Sequence, residues 1–153
     1  MEGPMTTSLP PAVAAALDSG SVDAVLAEAI THFGCAAGTV HFLRDGLLQL
    51  AASKNIPPPV VQIIATVPIG KGIAGLAAER REPVTICNLQ TDTSGQARPG
   101  ARATGMEGSL AVPMLTDGDL RGVLGIAKAE AYDWTPEERG LLLAIASQLG
   151  ALG

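Results

Sequence analysis

The chain has 153 residues, 47% of them hydrophobic and only 16% charged, with a formal net charge of −5. That length suffices for one domain with a substantial core, and the acidic balance, with 10 Lys and Arg that form no stripe, argues against nucleic acid as a direct partner. No apolar run of about 18 residues and no basic leader is present, so no membrane partner is expected and the reading places the protein in the cytoplasm.

Residues 1–11 are small and polar and read as a flexible lead-in, leaving 12–153 as a single domain, with a turn or two of helix expected over Ala12 to Leu17. Ser21 is an N-cap with Asp23 in the first turn, and Val22, Val25, Leu26, Ala29, Ile30 and Phe33 repeat at helical spacing up to Gly34, a left-handed cap. Thr39 to Leu43 and Leu47 to Ala52 flank Arg44-Asp45-Gly46, a strong hairpin signal. Within the first of these strands Val40 and Phe42 share one face and His41 takes the other.

Pro57-Pro58-Pro59 introduces a short helical stripe of Val60, Ile63, Ile64 and Val67. Gly70-Lys71-Gly72-Ile73-Ala74-Gly75 then spells G-x-G-x-x-G, which in a dinucleotide site follows a buried strand and opens a full helix. Here Pro68 precedes it and the helix after it, Ile73 to Arg81, is barely two turns long. The glycines therefore read as a kinked entry into a short helix. Pro83 to Cys87 is the third strand, its proline tolerated at the first position.

Asn88 to Gly108 has no apolar period and is rich in Thr, Ser, Gly, Ala and Arg; such long connections in compact domains are commonly functional. Ser109 to Leu115 and Leu120 to Ala127 form a second hairpin around Asp117-Gly118, with Pro113 marking a bulge or an unpaired N–H. Thr135-Pro136-Glu137-Glu138 opens the last helix with a capping box; Leu141, Leu142, Ile145, Ala146 and Leu149 carry its stripe, and Leu143 and Leu152 widen it. The order of elements is that of an α+β domain on one mainly antiparallel sheet of five or six strands. Its terminal helices would cover one face, and the short helices with the long loop the other. The two cysteines, Cys35 and Cys87, lack metal or redox spacing and read as small hydrophobes in apolar surroundings.

From Ser21 to Leu149 the chain resembles a GAF domain. The resemblance is carried by Gly70 to Glu79 with Glu82-Pro83-Val84, by Ser109 to Met114, by Gly122-Val123-Leu124, and by Tyr132-Asp133-Trp134-Thr135-Pro136-Glu137-Glu138, in that order. It implies a sensory module that binds a small molecule and signals to an output partner. The free methionine-(R)-sulfoxide reductase branch of that family places a cysteine inside the glycine turn, where this chain has Ala74. It also places an acidic residue directly after the serine, where this chain has Leu110, so no enzyme activity is expected. Related bilin-binding photoreceptors attach their chromophore at a cysteine followed by histidine, whereas Ala36 follows Cys35 and Asn88 follows Cys87. The motif of cyclic-nucleotide-binding members is not recognisable, and no cofactor is assigned.

The ligand pocket is expected between the sheet and the 88–108 loop, floored by Thr85, Cys87, Ser109 and Ala111. Polar contacts would come from His41, Thr85, Asn88, Asp92 and Ser109. His41 is alternatively a hydrogen-bonded structural histidine. Low charge and the broad apolar surface of the last helix point to a homodimer through the first and last helices, with a separate output protein as a further partner. A degenerate module kept only for dimerisation is the competing reading.

Overall fold

The computed structural model describes residues 9–91 and 105–153. Six strands, β1 (Ala37–Arg44), β2 (Leu47–Lys54), β3 (Thr66–Pro68), β4 (Val84–Ile86), β5 (Ser109–Thr116) and β6 (Asp119–Ala127), make one sheet in the order β3-β2-β1-β6-β5-β4. Every pairing is antiparallel. Both hairpins turn through two residues with positive φ, Asp45 (53°) and Gly46 (78°) in the first, Asp117 (53°) and Gly118 (83°) in the second. That geometry follows the right-handed strand twist, which is why Asp-Gly marks both turns.

Helices α1 (Pro11–Ser19), α2 (Val22–His32) and α5 (Pro136–Leu149) cover one face, where Val40, Phe42, Leu110, Val112, Leu124 and Ile126 of the sheet meet them. The lead-in expected over residues 1–11 gives way to helix already at Pro11, and Val13 and Ala16 are buried in this core; residues 1–8 lie outside the described residues. Ser21 caps α2 through its side chain, which accepts from the Ala24 N–H at 3.2 Å. At the other end the Gly34 N–H meets the Thr31 carbonyl and the Cys35 N–H the Ile30 carbonyl, the paired bonds of a left-handed glycine cap. Lys128 adds a third lock: its Nζ donates to the Phe33 carbonyl at 2.6 Å and lies 4.4 Å from the centre of the Tyr132 ring. A cation on the last carbonyls of a helix is favoured by the dipole, and its stem and charge here also rest on aromatic surface.

The opposite face is covered by α3 (Pro58–Ile64) and α4 (Gly72–Arg80). Leu48, Val67, Ala77, Ala78, Val84, Ala111 and Val123 form the smaller core there. Val67, grouped with the α3 stripe on sequence grounds, belongs instead to β3, the short edge strand that pairs Val67 with Leu48 of β2. A proline at Pro68 ends that strand at the sheet's edge, where a missing donor is tolerated. The expectation that both cysteines sit in apolar surroundings holds for Cys35, half-buried against the main core, and not for Cys87, which is exposed. β4 stops one residue before Cys87, at Ile86, so the thiol lies beyond the sheet.

Candidate functional site

A cavity of about 160 Å³ lies between the sheet and the α3–α4 cover. Its floor is explained by side-chain size. The sheet register sets Ala37, Ala127 and Ser109 in one cross-strand row and Thr39, Gly125 and Ala111 in the next, and all six line the cavity. Directly paired residues share a face, so six small side chains stand together on three adjacent strands and leave space that a Leu or Val would fill. The roof comes from Val60, Ile63 and Ile64 of α3, with Lys71, Gly72, Ile73 and Ala74 at the start of α4. Leu89 and Met106 close one side.

His41 is one of the polar residues of the wall and is only 2% exposed. Its Nε2 lies 2.8 Å from the Ile64 carbonyl oxygen at the end of α3. A carbonyl only accepts, so Nε2 carries the hydrogen. Burial lowers the pKa of the ring, with the Ile64 carbonyl pulling weakly the other way, so the imidazole is neutral at pH 7. Nδ1 is therefore a bare acceptor, and it is buried with no partner among the described residues. The strand pairing contributes to this placement. His41 pairs with Leu50 and Val40 with Ala52, which leaves Ala51 of β2 as an extra residue beside the histidine; bulges of this kind re-aim side chains next to sites.

The glycine run serves the cavity's edge. Gly70 and Gly72 have φ of 91° and 68°, a region L-residues rarely adopt. Gly75 lies so close to β3 that a Cβ there would be 2.5 Å from the Pro68 carbonyl oxygen. These constraints turn the chain sharply from β3 into α4, whose N-cap Lys71 provides no side-chain cap. Gly72, Ile73 and Ala74, the first three helical residues, present backbone N–H groups with no hydrogen-bond partner among the described residues, as a helix start leaves them.

Of the residues singled out from sequence, His41, Ser109 and Ala111 line the cavity. Thr85 does not: it pairs with Leu110, which faces the terminal helices. Cys87 is exposed, and its carbonyl accepts from the Tyr132 N–H at 3.0 Å. Asn88 is engaged locally, its Oδ1 accepting from the Gln90 N–H at 2.9 Å and its Nδ2 lying 3.4 Å from Glu107 Oε1. Asp92 lies outside the described residues. Sequence reasoning passed over Thr39, Gly125, Lys71 and the α3 roof. The available signal was the pair of small residues at i, i+2 on each of three strands. Among the described residues no group of His, Cys, Asp or Glu is arranged to hold a metal ion, and no helix is long and apolar enough to cross a membrane.

A family model described as GAF domain matches residues 21–152, and the chain belongs to that family. Among solved structures it is similar to the GAF domain of a phosphoenolpyruvate-protein phosphotransferase from Coxiella burnetii, at 24% identity over 93% of this chain and 82% of that one, with a TM-score of 0.71. It is also similar to free methionine-R-sulfoxide reductase from Neisseria meningitidis in complex with its substrate, at 16% identity over 99% and 95%, TM-score 0.72. A third similar structure is a far-red absorbing dark state with bound biliverdin, at 13% identity over 92% and 94%, TM-score 0.62. These likenesses establish the shared fold. No curated protein matches the sequence.

Proposed function

We propose that this chain is a non-catalytic sensory GAF module that binds a small molecule in the cavity between the sheet and the α3–α4 cover. The observation that carries this reading is the cavity itself, about 160 Å³ between the sheet and the short helices, with His41, Thr39 and Ser109 as polar residues in an otherwise mainly apolar lining. A domain kept only for assembly would gain stability by filling the space, and the floor instead retains six small residues.

Two features support a binding rather than a thiol-redox role. Neither cysteine lines the cavity. The Cys35 thiol is pushed up to about 12, chiefly by burial, with Lys128 pulling down and Glu138 and Glu130 pushing up, so it carries almost no thiolate at neutral pH. Native mass spectrometry of protein purified from its own cells tests the reading. A small molecule retained by the wild type and by a Cys35→Ser/Cys87→Ser variant, and lost from Ala111→Leu, is the expected result. Retention in Ala111→Leu would place the ligand elsewhere. NADPH-coupled reduction of methionine sulfoxide that disappears with the cysteines would make the protein an enzyme.

A further inference from the structure

We infer that the cavity's cover is a fixed jaw and a movable one: α4 is anchored, α3 moves, and His41 is the positioning residue that catches α3 against the sheet through the Ile64 carbonyl. This rests on the binding function proposed above and specifies how the site widens for molecules larger than the space it holds at rest.

The helix α4 is fixed at both ends. At its start Gly75 packs so close to β3 that a Cβ would stand 2.5 Å from the Pro68 carbonyl oxygen, and Gly75, Ala77 and Ala78 are buried. At its end Arg81, the C-cap, donates from Nη2 to the Gly118 carbonyl at 2.7 Å and so ties the helix to the β5–β6 turn. Backbone in such close contact has no soft side chain to yield.

The helix α3 is held differently. Of its seven residues only Val60 is buried, and Ile63 is 48% exposed. It starts after Pro57 with no side-chain cap and runs out at Ala65, still right-handed, without a left-handed glycine to close the last turn. A helix of about two turns is not stable by itself in water, so its tertiary contacts keep it folded. Its end is tied to the sheet by the Leu50 N–H, which donates to the Ala65 carbonyl at 2.9 Å, and by His41 Nε2, which donates to the Ile64 carbonyl at 2.8 Å. The last carbonyls of a helix have no partner within it, and His41 supplies one from across the cavity wall.

The catch itself is rigid. His41 is 2% exposed and sits on β1, which is paired on both sides, so the part that moves is the helix. The chain leading into α3 is anchored further back, at Asn55, whose Nδ2 donates to the Ala36 carbonyl at 2.7 Å. Between the anchors at Asn55 and Ala65, an outward swing of α3 breaks the His41 bond and withdraws Val60, Ile63 and Ile64 from the lining while every strand pairing stays intact. A ligand that wedges α3 outward must return more free energy than that bond and the Val60 contact supply, which makes the catch a filter on what the site accepts.

Hydrogen exchange of the whole chain, read residue by residue by NMR without any ligand, tests the catch. In the wild type the amides of residues 62–64 should exchange through a local opening that low urea does not accelerate. Those of Ile145 and Ala146 in α5 should exchange only by unfolding and speed up with urea. His41→Phe, which keeps a ring in the wall and removes the donor, should accelerate residues 62–64 about tenfold and leave Ala77 and Ala78 of α4 unchanged. His41→Gln, whose Nε2 donates at a similar reach, should restore most of the protection. Exchange of residues 62–64 at the urea-dependent rate of α5, or equal acceleration of α3 and α4 in His41→Phe, overturns the proposal, and the first of these needs no variant to fold. Methyl shifts of Val60 and Ala111 under xenon pressure read the cavity separately. Local opening of α3 without xenon entry upholds the catch and removes the binding reading. Xenon entry with α3 exchanging only by global unfolding keeps the site and overturns the catch.

Discussion

Glu138 shows how a single side chain serves several elements. Its Oε1 accepts from the Thr135 N–H at 2.9 Å while the Thr135 hydroxyl accepts from the Glu138 N–H at 3.1 Å, the reciprocal capping box read directly from Thr-Pro-Glu-Glu. Its Oε2 accepts from Tyr132 Oη at 2.7 Å, which raises the tyrosine's pKa. Burial acts to raise the pKa of Glu138, but the Thr135 backbone N–H, the Tyr132 hydroxyl and Lys128 together outweigh it and lower the value below 4.5. A carboxyl group with a depressed folded pKa contributes stability above the unfolded value and loses it as pH falls through the folded one. Glu138→Gln should therefore lower the melting temperature by about 1–3 °C at pH 7, the size of one charge at a helix start. The difference should begin to shrink as pH falls past the ordinary carboxylate value and close only once pH has passed through the depressed folded pKa, where the carboxyl is protonated. A gap that stays constant from pH 7 to pH 3 would count against this. Local motifs such as this box were legible because all their partners lie within four residues. Thr85 was not, because the face it takes is fixed by pairing with Leu110, and that pairing spans the long connection.

The elements illustrate the same division. Both Asp-Gly hairpins, the α2 stripe and the α5 start could be read from the chain, since each is specified by adjacent residues. The third turn of the α3 stripe could not: Val67 continues the helical spacing, yet tertiary pairing with Leu48 makes it part of an edge strand only three residues long. The G-x-G-x-x-G run was legible as a kink, and its last glycine has a packing reason that no local rule supplies. Gly75→Ala would drive a Cβ against the Pro68 carbonyl and the Gly70 backbone, and should cost about 1–3 kcal/mol of stability in urea melts. Gly140→Ala on α5, where an added Cβ meets nothing within 4 Å, should instead stabilise by about 0.5–1 kcal/mol. Equal effects from the two substitutions would contradict the close approach of α4 to β3. The cavity itself was the least visible feature, because it is made by what the side chains lack: Ala37 and Thr39, Ser109 and Ala111, Gly125 and Ala127 become a floor only after three strands are aligned.

For the molecule as a whole, the low charge and the half-buried Leu141, Leu143 and Leu152 on the terminal-helix face support a homodimer formed there. Light scattering at tens of micromolar should report twice the 15.5 kDa chain mass, and Leu143→Lys should halve it. A monomeric wild type removes the proposal. A dimer that survives Leu143→Lys but breaks with Ile63→Lys, at the 48%-exposed isoleucine of α3, moves the interface to the opposite side. The two faces are less independent than their separate cores suggest. At Gly38 the β1 backbone borders the cavity, and on the reverse side a Cβ would stand 2.9 Å from Leu26 Cδ1 and 3.0 Å from Ile30 Cδ1 of α2. With no side chain there, a single thickness of peptide separates the cavity from α2. Any occupant that displaces this segment presses directly on the Leu26 and Ile30 side chains through which α2 is seated on the sheet. The sheet at this spot acts as a membrane in the drumskin sense, with only backbone between the cavity and the side chains of α2.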